Sequence, residues 1–368
     1  MRLSSRVGER ERIVRQELRQ VLIIEKELDF ATERLLAQAV EEIIDRVWLG
    51  EDIRVVVLDV IDKMNLSHEM SELCYQSLVR ACSVGYGGDV PNPAGLRDAW
   101  AKDEATFEMR YKILTGVMAT QAIGGVQAAL GIGTGVKILE NQLINTIPET
   151  LPAYMRTFID KLYAVGVSRV EVEKIRRQVE RLSKNHAPTD ELKWAYRNIL
   201  KEVETNNPER IAEAVKIAMH EKARYNARRI ARTELARAYV EGEYTKYLPD
   251  NDVMGFKICL SSNHPVTDIC DLYATADLFG MGSGIYPRDK MPRLPAHPHC
   301  RCSIVPVYVG EANAPKQGQI KKGINEYLDN APAENRRKIL GVHGAREYEE
   351  TGIHYLYVPM EEPTTRVI

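Results

Sequence analysis

The sequence predicts a multidomain, mainly α protein that carries a small α+β module in its C-terminal part. Three observations lead to this fold class: apolar residues recur at helical spacing through the first 247 residues, two strand-like segments follow Pro249, and a loop rich in glycine and proline separates those segments. A chain of 368 residues is long enough for two or three domains of about 150 residues each. Its hydrophobic content of 44% is sufficient for a buried core.

The N-terminal region is predicted to be helical. Apolar and charged residues alternate at helical spacing over residues 9–48, which indicates one or two long amphipathic helices that pack in a bundle or meet a partner. The pattern continues over residues 54–84, where Cys74 and Cys82 stand eight positions apart. That spacing places both thiols on one helix face, as expected for buried structural cysteines.

The middle region is helical with interruptions. Glycine, proline and asparagine cluster at residues 83–98 and predict a break. Residues 113–136 carry no charge, but their six glycines and low leucine content favour a buried or conformationally plastic segment over a membrane helix. Helices are predicted again at residues 152–183 and 189–247, the second capped by Thr189.

After Pro249 the pattern changes from helical to strand-like. Residues 253–262 and 302–309 are predicted to be strands joined by the long loop rich in glycine and proline. A helix near residues 319–327 and a short strand at residues 353–359 complete the chain.

Overall charge gives no reason to expect nucleic acid as a partner. The chain has 50 basic and 52 acidic side chains, so its net charge is −2 and any contact with phosphate must come from a local patch. The first 20 residues lack the apolar segment of a secretory signal. We therefore expect the six cysteines to be thiols or metal ligands rather than disulfides.

Four of the six cysteines fall between residues 259 and 302, together with histidines, in "CLSSNHPVTDIC" and "PAHPHCRC". If the two predicted strands pair in antiparallel fashion, these motifs meet and close the 271–296 loop at its base. Zinc takes four N and S ligands, often from two such motifs, and its binding energy would stabilise the loop. The best tetrad is His264, Cys270, His297 and Cys300, with Cys302, Cys259 and Asp268 in reserve. The alternative is a proline-stiffened loop whose histidines are only hydrogen-bonded.

Common catalytic motifs are absent from the sequence. His220-Glu221 is followed by Arg224 where a zinc protease needs histidine, and Ser283 lacks the glycine that a nucleophile elbow needs two positions before it. A complete set of protein ligands around zinc would also leave no position for a catalytic water. The sequence therefore favours a structural metal and no enzymatic activity.

A basic segment lies in the last predicted long helix. Six basic and two acidic side chains fall within residues 221–237, and Arg224, Arg228 and Arg232 share one helix stripe next to Arg229. Such a stripe is typical of a helix that contacts nucleic-acid phosphates. A solvated face, or arginines paired with carboxylates of the same protein, would give the same pattern.

Together, "RRIARTELARAY", a strand, "SSNHPVTDICD" and "LPAHPHCRCSIVPV" resemble the phage Mu F-like minor head proteins, the head morphogenesis family of tailed phages. The resemblance covers residues 212–309. It implies that the family's paired cysteines correspond to Cys270 and Cys300, and its His-Pro to His297-Pro298. The chain departs from the family in "HPVTDIC", where many members have Cys-x-x-Cys, so His264 or Asp268 could replace a cysteine.

The resemblance implies a minor capsid protein that acts at the portal vertex during procapsid assembly, in the virion interior and, before that, in the cytoplasm of the infected bacterium. Expected partners are the portal protein, a major capsid or scaffold protein and, as for some family members, double-stranded DNA during packaging or ejection. A structural zinc ion is expected, and stable membrane insertion is not. The four expected regions are residues 1–90 (helical), 91–210 (helical with the Gly-rich segment), 211–310 (the Mu F-like module) and 311–368 (a C-terminal extension).

Two other functions stay open at this point. One is a metal-dependent hydrolase or nuclease that uses His264, Asp268 and His297 around an open metal site. The other is a carrier module of a toxin system, because the same domain also precedes secreted toxin domains. Only about 60 residues follow the module, too few for most toxin folds.

Overall fold

The computed structural model describes residues 3–49, 51, 53–94, 189–205, 208–262, 264, 267–354 and 360–361. Within them the chain forms helices and short strands, which we number in chain order. The helices are α1 (Leu3–Trp48), α2 (Ile53–Lys63), α3 (Leu66–Tyr86), α4 (Asp190–Thr205), α5 (Pro208–Tyr247), α6 (Ile269–Thr275), α7 (Gln319–Asn330) and α8 (Ala333–Thr351). The strands are β1 (Val253–Cys259), β2 (Ile285–Pro287), β3 (Met291–Pro292), β4 (Ser303–Tyr308) and β5 (Met360–Glu361).

The predicted fold class is confirmed: long helices dominate, and a small antiparallel sheet lies in the C-terminal part. The first amphipathic pattern forms one helix of 46 residues. The next forms α2 and α3, separated at Asn65, which has a left-handed backbone with φ 45°. Cys74 and Cys82 are fully buried on α3, as expected. The predicted helix at residues 152–183 and the Gly-rich segment at 113–136 lie outside the described residues.

Among the helices that the structure describes, none is both long and apolar enough to cross a membrane.

The chain divides into two compact units, each built from segments that are distant in sequence. The first unit comprises Met1–Leu28, Cys74–Glu104 and Arg229–Ile368, and the second comprises Asp29–Leu73 and Ala105–Arg228. This division follows packing, so each unit takes residues from several of the four consecutive regions expected from the sequence.

In the first unit, α3 and α5 approach each other closely at a pair of glycines. A Cβ atom added to Gly85 would lie 2.2 Å from the backbone oxygen of Tyr239, and one added to Gly242 would lie 2.2 Å from that of Cys82. Real Cβ atoms essentially never come closer than 3.0 Å to a heavy atom. Two helix backbones can therefore touch here only because both positions lack a side chain.

The sheet of the first unit has the order β2-β1-β4, and both pairings are antiparallel. Strand β1 is central, with Phe256 opposite Pro306 of β4 on one side and opposite Tyr286 of β2 on the other. Tyr286 is fully buried and donates its hydroxyl to the carbonyl oxygen of Tyr273 over 2.8 Å, which joins the sheet to α6. The predicted antiparallel pairing of the two long strands is confirmed.

In the second unit, the cap predicted for α4 is present. The Thr189 hydroxyl accepts a hydrogen bond from the backbone N–H of Leu192 over 3.2 Å, which satisfies one of the unpaired donors of the first turn. Leu192 and Tyr196 then pack in a small buried cluster with Ala218 of α5.

Two helices are not expected from the sequence. Helix α6 has seven residues inside the predicted loop, and α8 is so rich in charged side chains that it lacks a clear apolar stripe. Only Ala345 and Tyr348 of α8 are buried. Most of the strand predicted at residues 353–359 lies outside the described residues, and the short strand that is described, β5, pairs with β3.

Candidate metal centre

The two cysteine- and histidine-containing motifs meet beside the sheet. Cys259 at the end of β1 stands opposite Ser303 at the start of β4, so the segments that continue from these strands leave the sheet side by side. Helix α6 begins after Asp268, whose side chain accepts a hydrogen bond from the backbone N–H of Cys270 over 2.7 Å. This cap orients the first turn of α6, and Cys270 lies buried in that turn.

Three thiols form the centre of the site. The Sγ atoms of Cys270, Cys300 and Cys302 all lie within 4.8 Å of one another, and those of Cys270 and Cys300 are 3.6 Å apart. All three side chains are at least 97% buried. In a tetrahedral zinc site with Zn–S bonds of about 2.3 Å, two sulfur atoms are separated by about 3.8 Å. The cluster therefore has the spacing and the donor chemistry of a metal site.

His297 lies at the edge of the thiols, where its Nε2 atom belongs to a set of possible metal donors with Cys270 and Asp268. Its Nε2 atom is 3.3 Å from the Sγ of Cys270, while its Nδ1 atom is 2.9 Å from the carbonyl oxygen of Pro298. A carbonyl oxygen only accepts hydrogen bonds, so Nδ1 carries a proton, and Nε2 is the nitrogen that would lose its proton to bind a metal. A backbone partner of this kind commonly orients a metal-binding histidine.

Electrostatics within the cluster favour a thiolate at Cys300 alone, while the pKa values of the Cys270 and Cys302 thiols are raised. Hydrogen bonds with Cys270 and Cys302 lower the pKa of the Cys300 thiol. Hydrogen bonding with Cys300 raises the pKa of His297 to about 9. Because the thiolate is the form that binds metal, the neighbours of Cys300 prepare it for that role.

The structure places His264 in a different group from the cysteines. Its Nε2 atom lies 2.8 Å from Asp271 and 3.7 Å from Asp268, and these three side chains form a second set of donor atoms within 4.8 Å of one another. Asp268 also belongs to a third set, with Cys270 and His297, and its Oδ2 atom is 3.1 Å from Nε2 of His297. In the tetrad preferred from the sequence, Cys302 therefore takes the place of His264.

Sequence reasoning misses Asp271, although a signal exists. Asp268 and Asp271 stand three positions apart at the start of α6 and form a capping box, in which each side chain accepts from the other residue's backbone N–H. Asp-x-x-Asp before a short apolar run can indicate such a helix start. The signal is weak here because helix α6 is only seven residues long and lies inside a segment rich in loop-forming residues.

Cys259 takes no part in the cluster. Its Sγ lies 4.0 Å from the carbonyl oxygen of Lys257, and burial raises the pKa of its thiol to about 12. It belongs to none of the donor groups found among the described residues.

Three of the four arginines predicted to contact nucleic acid are engaged in ion pairs with α1. Arg228 pairs with both oxygens of Asp29, and the Nε of Arg232 lies 2.9 Å from Glu25. Arg224 contacts Glu33 at 3.4 Å and Glu221 of its own helix at 3.1 Å. Arg229 is exposed. The arginine stripe is therefore largely paired within the protein, which was the alternative interpretation of the pattern.

Comparison of the chain with protein-family models, with curated proteins and with solved structures found no match in any of the three.

Proposed function

We propose that Cys270, Cys300, Cys302 and His297 bind one structural Zn²⁺ ion. Three thiolates and one imidazole form one of the ligand sets that zinc takes in structural sites, and soft sulfur donors disfavour magnesium and calcium. The separation of 3.6 Å between the Sγ atoms of Cys270 and Cys300 is the observation that carries this proposal. Bound zinc would supply a fixed tetrahedral link between sequence positions 270 and 302.

The ligand set supports a structural rather than a catalytic ion. Four protein donors would complete the coordination of zinc, and the thiols are buried, so no position remains for a reacting water. Each ligand would also hold a segment of the chain in place. Cys270 would hold the start of α6, and His297, Cys300 and Cys302 would hold the segment that leads into β4. Zinc would thus join the two ends of the chain segment between Cys270 and Cys300, which are 30 positions apart.

We further propose that the chain is a minor capsid protein of a tailed phage that acts without enzymatic activity in procapsid assembly. This proposal is supported by the resemblance of residues 212–309 to the Mu F-like head proteins and by the long α1 helix, a shape suited to packing with other proteins. The portal protein and a capsid or scaffold protein are the partners it predicts. The ion pairs of Arg224, Arg228 and Arg232 make a large DNA interface on α5 less favourable, because phosphate would have to displace carboxylates.

Metal analysis of the purified chain tests the zinc proposal. We expect one zinc ion per chain, and a lower unfolding temperature after chelation, because metal binding contributes to folding. Cys300→Ser should lose the zinc, whereas Cys259→Ser is the matched control, a half-buried cysteine outside the cluster that should keep it. Folded wild-type protein without metal, or equal zinc in both variants, would contradict the proposal.

Co-purification with the portal protein of the same phage tests the assembly role. The full chain should be retained by immobilised portal and should not be retained by an unrelated protein ring. Retention by zinc-loaded protein but not by Cys300→Ser would show that the role depends on the metal-stabilised module. Zinc-loaded protein that never associates with portal or capsid proteins would refute the assembly role and leave the zinc proposal intact.

A second candidate function is favoured by the group formed by His264, Asp268 and Asp271. One imidazole and two carboxylates at 13–26% side-chain exposure are donors that a metal-dependent hydrolase or nuclease uses, with coordination positions left for water. Because both aspartates also cap α6, the informative variant is His264→Ala, which keeps the capping box. Metal-dependent nuclease activity that this variant loses would favour the enzyme, and its absence from the wild type would exclude it.

A further inference from the structure

A cavity of about 380 Å³ opens in the first unit, next to the segment that carries Cys300 and Cys302, whose neighbours Arg301 and Ser303 line it. Helix α1 forms one side with residues between Glu11 and Glu25, and α5 contributes Arg232 and Ala236. The segment after β1 and the start of β4 close the rest. This volume falls in the range of cavities that hold small ligands or short peptide segments.

The floor of the cavity contains two arginines that share one carboxylate. Glu25 accepts from the Nε of Arg232 over 2.9 Å and from a terminal nitrogen of Arg301 over 2.6 Å. The Glu25 side chain is only 12% exposed. Two guanidinium groups around one carboxylate leave a net charge of +1 in a partly buried position, where it is weakly screened by solvent.

The mouth of the cavity adds further positive charge. Arg15 and Arg19, one helical turn apart on α1, line it and are exposed. The remaining acidic residue of the lining, Glu11, is paired with Lys257 at 2.7 Å. Four arginines against two glutamates give the lining a net charge of +2 in a chain whose net charge is −2. The cavity therefore attracts anions more than its surroundings do.

Between the charged groups the walls are aliphatic. Leu18 and Leu22 lie half-buried on α1, and Leu260 faces the cavity from the segment after β1. Among the described residues that line this cavity, none is aromatic. Single-stranded nucleic acids are bound mainly by stacking bases on aromatic rings, and a duplex does not fit a concavity of this size. A ligand that packs against the aliphatic walls and also neutralises the two excess positive charges must carry several carboxylates next to aliphatic groups.

We propose that this cavity binds an acidic peptide segment with aliphatic side chains, presented by a partner protein. Its carboxylates pair with Arg15 and Arg19 at the mouth and with the unshared donors of Arg301 on the floor, while its aliphatic side chains contact Leu18 and Leu22. The proposal extends the assembly role by naming a recognition site and the chemistry of the partner, and it requires no contact between the peptide and bound metal.

Fluorescence anisotropy with labelled peptides on the full-length, zinc-supplemented chain tests this site. The probe is a fluorescein-labelled hexapeptide of alternating glutamate and leucine. One comparison peptide replaces glutamate with lysine, and a second replaces leucine with serine. The acidic aliphatic peptide should bind, its affinity should fall as salt is raised, and both comparison peptides should bind at least tenfold more weakly.

The decisive variant is Arg15→Glu combined with Arg19→Glu, because both side chains are exposed and the fold does not rely on burying them. Reversing two charges at the mouth should weaken peptide binding about tenfold. Arg34→Glu is the control, a single charge reversal at an exposed position of the same helix outside the cavity, and should leave binding unchanged.

Three results would overturn the proposal. The first is no binding of the acidic aliphatic peptide at millimolar protein concentration, and the second is equal binding to the double variant and to Arg34→Glu. The third is displacement of the peptide by oligothymidylate at lower concentration than by unlabelled peptide, which would assign the cavity to nucleic acid. If the wild-type chain binds the peptide but does not associate with the portal protein, the assembly role is refuted and the peptide site is not.

Discussion

Replacing Gly85 with alanine should destabilise the first unit, although alanine is the better helix former. The new Cβ would lie 2.2 Å from the backbone oxygen of Tyr239 and 2.9 Å from the backbone nitrogen of Glu243. Neither backbone atom can rotate away, so α3 and α5 must separate by about 1 Å to reach ordinary contact distances. A gap of that size removes a quarter to a half of the dispersion attraction of the atoms that line it.

The magnitude follows from two opposing terms. Overpacking of a tight interface costs about 1–3 kcal/mol or more, while replacing glycine with alanine inside a helix contributes up to about 1 kcal/mol of stability. Here both members of the contact are backbone, so the cost lies at the upper end. We expect a net loss of roughly 1–3 kcal/mol for Gly85→Ala, and a similar loss for Gly242→Ala, whose Cβ would lie 2.2 Å from the backbone oxygen of Cys82.

Thermal and chemical unfolding of the two single variants and the double variant measures the effect. Because a separation that accommodates one methyl group also makes room for the other, the double variant should lose less stability than the sum of the single variants. Gly8→Ala on α1 is the control, since an added Cβ there meets nothing within 4 Å, and it should be neutral or slightly stabilising. Wild-type stability in Gly85→Ala, or strict additivity of the pair, would refute this packing.

Further predictions concern charge. Burial, followed by the neighbouring Glu17 carboxylate, raises the pKa of Glu243 to about 8. The folded state therefore binds this proton more tightly than the unfolded state, so wild-type stability falls as pH rises from the ordinary carboxyl range toward 8, by up to roughly 1.4 kcal/mol per pH unit. In Glu243→Gln this decline should disappear from pH-dependent denaturation curves. Arg228→Glu should destabilise by about 1 kcal/mol through repulsion with Asp29, whereas Arg229→Glu, at an exposed position, should change stability by less than about 0.5 kcal/mol. Equal unfolding midpoints for Arg228→Glu and Arg229→Glu would contradict the predicted role of the ion pair between Arg228 and Asp29.

The centre of the candidate site was largely predictable from local sequence because its residue types are chemically distinctive. Cys270, Cys300 and His297 are soft donors on either side of two strand patterns, and antiparallel pairing of those strands predicts that they meet. The choice between His264 and Cys302 was not predictable. It depends on the short helix α6, whose capping aspartates engage His264, and seven residues are too few to produce a helical period.

The role of the basic stripe on α5 could not be decided from its own sequence. Arg228 and Arg232 are paired with Asp29 and Glu25, which lie 199 and 207 positions earlier in the chain. A helical pattern identifies which side chains share a face, but it carries no information about what packs against that face. Long-range ion pairs of this kind become visible only when the tertiary structure is known.

The Glu25 carboxylate also has a consequence for how the protein is made. Its two arginine partners are 207 and 276 residues further along the chain. At a synthesis rate of 5–20 residues per second, the ribosome needs roughly 14 to 55 s between Glu25 and Arg301. Until that interval ends, Glu25 lacks at least one of its two arginine partners. The charge network around Glu25 can therefore be completed only late in synthesis, after most of the chain has been made.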